Sequence, residues 1–156
     1  MADRSAAAIR IGGHLPHALA PDLVEAIDIE GVSTDWDGTP FSPDDLLAGR
    51  SLYLVATEVA GGTFDHLEDF CYRHDLPFAR WCDGYWGSYG PQRVVFDGTD
   101  AMTFVATEDD EVLISLEDIE RLGSMDAIRA HFAKANATIP PLELTGPAPA
   151  DGGDDV

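Results

Sequence analysis

Apolar residues recur at helical spacing in two segments of the first half of the chain, residues 21–30 and 64–74. Pro21 and Gly31 suit the first turn and the end of the first helix. In the second segment, Glu68 and its polar neighbours are predicted to face water. The opposite stripe, which we expect to be buried, contains Phe64, Leu67 and Cys71.

Two short apolar runs, residues 8–12 and 52–57, predict strands. The second run has apolar side chains on both faces, which is typical of a strand in the middle of a sheet. Between the two runs, the Ser-Pro-Asp-Asp sequence of residues 42–45 has the signature of a capped helix start. Leu46 and Leu47 follow it, and we expect both to face inward.

After Pro77 the spacing of apolar runs and turn residues changes to that of an antiparallel meander. Asp97 and Gly98, between two apolar runs, form a strong hairpin signal. The four expected strands are residues 78–82, 93–96, 102–107 and 112–114. Two helices follow, with Ser115 and Ser124 as their predicted caps. The buried face of the second is expected to carry Met125, Ile128 and Phe132.

This order of elements predicts an α+β fold. Its sheet is expected to be mixed and largely antiparallel, with a meander of about four strands plus one or two N-terminal strands, packed against helices. We expect residues 1–146 to form one domain. Residues 147–156 are rich in Pro, Gly, Ala and Asp, so they bury too little apolar area to offset their ordering entropy. They are predicted to be a disordered acidic tail.

Charge narrows the range of partners, because the chain has 29 Asp and Glu against 9 Lys and Arg, a formal net charge of −20. Such a field repels nucleic-acid phosphates and anionic membranes and attracts basic proteins. Direct nucleic-acid or membrane binding is therefore not expected. The densest acidic stretch contains no basic residue, and we predict that it forms an acidic interaction face of Glu108, Asp109, Asp110, Glu111, Glu117, Asp118 and Glu120.

Aromatic residues are concentrated in one stretch, RWCDGYWGSYGPQRVVF, residues 80–96. Its glycines prevent a regular ladder through the middle, so the central aromatics are expected on a loop between two strands. Trp81 and Phe96 are predicted to lie in the core. Large rings with polar tips are frequent interface anchors, and the candidates are Tyr85, Trp86 and Tyr89. The alternative is that these three rings fold back as a lid on the core.

Histidine and cysteine positions give no convincing metal or catalytic motif. His66 and His74 are two turns apart and off a common line, whereas zinc needs tightly clustered ligands. Cys71 lies on the apolar stripe, where a thiol is inert, so it is a poor partner for a nucleophilic pair with His74. We therefore expect no catalytic residue, no metal and no cofactor. With no signal peptide evident, free thiols at Cys71 and Cys82 and a cytoplasmic location are expected.

One stretch resembles a known group of proteins. Residues 67–96, LEDFCYRHDLPFARWCDGYWGSYGPQRVVF, are similar to small uncharacterised proteins of bacterial mobile elements, in which a helix leads through a His-x-Leu/Ile-Pro-Phe turn into a strand. The resemblance covers about thirty residues. It implies phage or plasmid biology and assigns no role to any residue.

These observations predict a non-enzymatic acidic binding or inhibitor protein that occupies a basic surface of another protein. One specific form is a DNA mimic of the antirestriction or anti-CRISPR type, whose partner normally processes nucleic acid. The alternative is a salt-adapted or housekeeping domain, an enzyme or small-ligand binder, whose acidity is only a solvated surface. A composition biased toward acidic residues does not require a binding partner. The same bias shows in the basic residues, since Lys134 is the only lysine in the chain.

Overall fold

A computed structural model describes residues 3–148. Over that part of the chain the strands are β1 (Arg4–Ile11), β2 (Gly13–Pro16), β3 (Leu52–Ala60), β4 (Phe78–Cys82), β5 (Gln92–Phe96), β6 (Ala101–Val105) and β7 (Leu142–Thr145). The α-helices are α1 (Ala20–Glu30), α2 (Asp65–Arg73), α3 (Leu116–Leu122) and α4 (Met125–Ala135), and short 3₁₀ helices span His17–Leu19 and Pro43–Leu47. Apart from its first two positions, the predicted tail at 147–156 lies outside the described residues.

Five strands form an antiparallel sheet in the order β3-β1-β4-β5-β6, and β2 pairs with β7 in a small parallel sheet. The α+β prediction is confirmed. Three strands of the expected meander form a continuous ladder, but its fourth strand is reduced to a single bridge between Ala106 and Val112. The chain leaves the sheet soon afterwards because Ser115 caps α3 by accepting a hydrogen bond from the Asp118 N–H.

The prediction that residues 52–57 form a central strand is wrong, since β3 lies at an edge of the sheet. Its outer side is partly covered by the loop that precedes it. Ser33 and Val55 exchange both backbone hydrogen bonds, at 2.9 and 2.8 Å. A loop residue thus satisfies part of the hydrogen-bonding capacity of this edge.

The sheet has two unequal faces. The larger core lies between one face and helices α1 and α2, and its fully buried side chains include Ile9, Ile11, Leu23, Leu67 and Phe78. Both cysteines are free and buried in this core. On the other face, α4 covers only the β5 and β6 side with a smaller cluster of Ala79, Val95, Phe104, Val112, Ala135 and Ile139. No helix within residues 3–148 covers the β1 and β3 side of that face.

The helical pattern predicted that Glu68 faces water, and this prediction is wrong, because the residue is only 8% exposed. The reason is Arg80, which lies between Phe78 and Cys82 on the core side of β4 and is 3% exposed. Glu68 accepts hydrogen bonds from Arg80 Nε at 3.2 Å and from the Phe64 N–H at 2.7 Å. A buried guanidinium needs a nearby counter-charge, and α2 supplies it.

Two further burial predictions are wrong. Leu46 is buried, but Leu47 is 67% exposed, because successive side chains of a 3₁₀ helix point about 120° apart and only one can face the core. Met125 is 58% exposed. It is the first residue of α4, which contacts the sheet through its last turn, where Ala135 is fully buried and Phe132 packs against it.

Candidate functional site

Two hairpins lie side by side at one end of the large sheet. The aromatic hairpin, residues 83–91, joins β4 to β5, and the acidic hairpin, residues 106–112, follows β6. The Ala106 N–H donates to the Pro91 carbonyl at 3.2 Å, which joins the two directly. The half-buried Trp81, predicted as a core residue, adds a second link because its indole Nε1–H donates to the Thr107 carbonyl at 3.0 Å.

The aromatic hairpin is a tight, internally bonded turn. Tyr85 and Tyr89 pair through backbone hydrogen bonds of 2.8 and 3.1 Å, and Gly87 supplies the positive φ of 84° that the tip requires. Trp86 at the tip is 97% exposed, and Tyr85 is 41% exposed. The hydrogen-bonded backbone therefore places the large indole ring of Trp86 in solvent, outside the core.

Tyr89 differs from its two neighbours because it attaches the hairpin to the body of the protein. Its hydroxyl lies 3.0 Å from the Ser5 hydroxyl on β1, and its ring packs against the main core. The Ser88 hydroxyl also donates to the Asp3 carboxylate. Of the three predicted anchor residues, two are exposed and the third holds them in place, so the anchor and lid interpretations each describe part of the hairpin.

The acidic hairpin is ordered by a threonine and an arginine. The Thr107 hydroxyl accepts the backbone N–H groups of Asp109 and Glu111 at 3.2 and 3.1 Å. Arg93, on β5, donates to the Asp110 carboxylate at 2.8 Å and to the Ala135 carbonyl at 2.7 Å. This guanidinium at the end of α4 therefore fixes both the helix and the turn.

Two of the seven residues of the predicted acidic face are paired with bases. Asp110 binds Arg93, and Asp118 binds Arg121 at 2.9 Å. Hydrogen bonds from Arg121 and Ser115 lower the pKa of Asp118, whereas burial raises the pKa of Asp110 against the opposing charge of Arg93. The five others have exposed side chains and no ion pair within the described residues: Glu108, Asp109, Glu111, Glu117 and Glu120.

A groove of about 470 Å³ runs along the uncovered part of the second sheet face, and we call it the sheet groove. Small side chains on the two central strands, Ala8 and Ala79, are part of its lining. Three aromatic side chains from separate parts of the chain line it as well: Trp36, Tyr53 and Trp81. Sequence reasoning missed this groove because its lining residues, such as Trp36 and Trp81, are far apart in the sequence and meet only in the folded chain.

Charged residues also line the sheet groove. The Arg10 guanidinium lies over the Tyr53 ring, 4.5 Å from its centroid, and donates to the Ser51 hydroxyl at 3.1 Å. The acidic hairpin contributes Glu108 and Asp109, together with the Arg93–Asp110 pair. The groove therefore contains aromatic rings, stacked and paired guanidinium groups, and two carboxylates with no ion-pair partner among the described residues.

Carboxylates also occur on the opposite side of the sheet. A shallow groove between α1 and α2 contains Asp22, Glu25 and Asp69. The negative charge is thus spread over both faces, and charge alone does not mark one surface. The aromatic hairpin and the sheet groove are distinguished by their aromatic rings, and the acidic hairpin by its contact with both of them.

Of the residues that suggested metal chemistry, His66 and His74 both line the groove between α1 and α2. Within residues 3–148 no group of three or more His, Cys, Asp or Glu side chains could hold a metal ion. His14 instead contacts Glu143 at 3.3 Å. Burial raises the pKa of the Cys71 thiol far above its ordinary value, which keeps it protonated and unreactive. None of the helices in the described part of the chain is both long and apolar enough to cross a membrane.

Comparison of the chain with protein-family models, with curated proteins and with solved structures finds no match. The function must therefore be argued from the geometry of these surfaces.

Proposed function

We propose that this chain is a non-enzymatic acidic binding protein that docks the hairpin end of its sheet on a basic surface of another protein. The observation that carries the proposal is Trp86, 97% exposed on a hairpin whose backbone is internally bonded and tied to β1. The acidic hairpin lies next to it.

The two hairpins offer what selective binding of a basic partner requires. The net charge of −20 accelerates encounters with basic surfaces, but charge discriminates poorly among them. Desolvated aromatic anchors add the selectivity, and tryptophan and tyrosine are the most frequent. Because the Tyr85–Tyr89 pair already holds the turn, little loop entropy is lost when Trp86 is buried by a partner.

In its most specific form, the proposal is that the partner normally binds nucleic acid and that the chain inhibits it as a DNA mimic. Five carboxylates of the 108–120 stretch have no ion pair within the described part of the chain, and they support this version, since they would replace phosphates as ligands for Lys and Arg. The resemblance of residues 67–96 to mobile-element proteins is in keeping with an inhibitor of host defence. Two free, buried thiols suit a reducing compartment, which supports action in the cytoplasm.

A salt-adapted or housekeeping domain is the second candidate. The observation that favours it is the presence of carboxylates on both sides of the sheet, which a hydration shell requires and a single docking face does not. This candidate assigns no purpose to the exposed Trp86.

The experiment is capture from the host at low and at moderate ionic strength, with the immobilised wild type and Trp86→Ala in parallel. We expect one basic, nucleic-acid-processing protein to be retained by the wild type at moderate ionic strength and to be lost from the variant. Glu25→Gln is the control, since it removes an exposed carboxylate on α1, away from both hairpins and from the acidic face. Retention that does not depend on Trp86, or that vanishes entirely at moderate ionic strength, would refute the proposed docking surface.

A further inference from the structure

We infer that the sheet groove is the binding site for an arginine side chain of the basic partner. This inference rests on the proposed function and specifies the chemistry that the protein recognises. The groove of about 470 Å³ lies within the size range of ligand-binding sites and can admit a long side chain with part of its flanking backbone.

Aromatic rings give the groove its affinity for a planar cation. Trp36 and Trp81 line it together with Tyr53, and Arg10 already lies over the Tyr53 ring at 4.5 Å. That contact is an example, within the groove itself, of the guanidinium stacking that we infer for the ligand. A planar guanidinium stacks better on such rings than a lysine ammonium does.

The charges in the groove favour a cation over an anion. The Arg93–Asp110 pair is internally neutralised at 2.8 Å. What remains is Arg10 against Glu108 and Asp109, which is a net negative charge within a chain of net charge −20. An anionic ligand would be repelled by the net charge of the groove and by that of the whole chain. A guanidinium can instead stack on a ring and donate hydrogen bonds to the two carboxylates.

The groove is also continuous with the proposed docking surface. Its acidic end is the acidic hairpin, which bonds to the aromatic hairpin through Ala106 and Pro91. A basic polypeptide that buries Trp86 is therefore close to the groove, and its own arginine is the group that enters. For this reason we assign the site to a polypeptide arginine and not to free arginine.

The test uses short Gly/Ser peptides with one central residue, which is arginine, lysine or citrulline, and N-acetylarginine amide as the small-molecule probe. Binding is followed by NMR through the indole N–H signals of Trp36 and Trp81, with Trp86 outside the groove as an internal reference. We expect the arginine peptide to shift the first two signals and to bind more tightly than the lysine peptide or N-acetylarginine amide. The citrulline peptide keeps the shape but not the charge, and it should not bind.

Three variants separate a built site from general attraction to an acidic protein. Replacing Glu108 and Asp109 by Gln and Asn should weaken arginine-peptide binding about fivefold. The matched control is the same charge change on α1, Glu25→Gln with Asp28→Asn, outside both the groove and the acidic face, and it should alter binding less than about twofold. Arg10→Gln removes a like charge and should strengthen binding by about twofold to fivefold.

Equal effects of the two charge-removing double variants would overturn the inference, because they would show general electrostatics. Weaker arginine-peptide binding by Arg10→Gln would also contradict the inference, because a guanidinium in the groove should be repelled by Arg10, and equal binding of N-acetylarginine amide would indicate a small-molecule site. If the peptides fail but Trp86-dependent capture of a basic protein persists, the groove assignment is wrong and the proposed function stands. If no basic partner is captured at all, the proposed function fails first.

Discussion

Glu68 and Arg80 form an ion pair between α2 and β4 that is almost completely removed from water. Each group depends on the other, because an isolated charge at this depth is strongly unfavourable. Arg80 Nη1 also contacts the Cys82 sulfur at 3.3 Å, so the pair fills a polar gap within the main core. Its contribution to stability is best measured by comparing single and double replacements.

Removing one member of the pair should be much more damaging than removing both. We expect Glu68→Ala to lower the free energy of unfolding by about 3 to 5 kcal/mol, because Arg80 is left buried without its counter-charge. Replacing Glu68 and Arg80 together by Leu and Met should cost less than the single change. Urea unfolding measures both, and a double variant less stable than Glu68→Ala would contradict the argument.

The titration of Glu68 gives a pH signature. Burial raises the pKa of this carboxyl above its ordinary value of 4.5, and Arg80 and the Phe64 N–H only partly oppose that effect. Between 4.5 and the raised pKa, the folded protein holds a proton that the unfolded chain has released, so stability falls as the pH rises. The free energy of unfolding of the wild type, measured relative to that of Glu68→Gln, should therefore fall as the pH rises from 4.5 and then level off. A relative stability that rises with pH in that window would show a lowered pKa.

The two thiols give a third prediction at this scale. Cys71 and Cys82 are fully buried, and burial raises the pKa of Cys71, so no reactive thiolate is presented. Iodoacetamide at mildly alkaline pH should leave the native protein unmodified and alkylate both residues in guanidinium chloride. Mass spectrometry reads the result. Rapid modification of the native protein at either position would show that the core opens there.

Among the elements, the helices were predicted from the sequence and the strand environment was not. Ser115 and Ser124 cap helices through local hydrogen bonds, and Gly123 ends α3 in a left-handed conformation, so nearby residues determine these boundaries. The edge position of β3 depends on its pairing with β1, and the burial of Glu68 depends on Arg80 of β4. Periodicity does not contain that information.

In the candidate site, too, the features set by nearby residues were predicted and those set by distant residues were not. The aromatic and acidic hairpins were found because turn residues and charge are concentrated in sequence. Their contact with each other, the pairing of Asp110 with Arg93, and the groove formed by Trp36, Tyr53 and Trp81 arise only when distant strands pair.

The aromatic hairpin divides its residues between binding and support, which predicts opposite results for two substitutions. Trp86→Ala should change the free energy of unfolding by less than about 0.5 kcal/mol, since the ring is exposed, and weaken partner binding by about 2 kcal/mol, mainly through faster dissociation. Tyr89→Ala should destabilise the fold by about 2 kcal/mol, because it removes core packing and the Ser5 hydrogen bond. Thermal unfolding and surface plasmon resonance measure the two quantities. Equal destabilisation would mean that the whole hairpin is a lid.

For the whole molecule, the net charge of −20 affects stability and binding in opposite directions. Added salt screens self-repulsion and should raise the thermal unfolding midpoint, while it weakens association with a basic partner. A purely salt-adapted domain shares the first behaviour but has no partner to lose. Parallel salt titrations of unfolding and of binding to the captured protein check both expectations. An unfolding midpoint that falls on addition of salt would show that the ion pairs outweigh the repulsion.

The most direct measurement is competition between this chain and duplex DNA for the captured basic protein. If the hairpin end occupies a nucleic-acid-binding surface, a short duplex should displace the chain from its partner, and the chain should in turn inhibit DNA binding by that partner. Trp86→Ala should compete much less effectively than the wild type. Simultaneous binding of DNA and the chain to the same partner, with neither affinity changed, would contradict occupation of a nucleic-acid-binding surface.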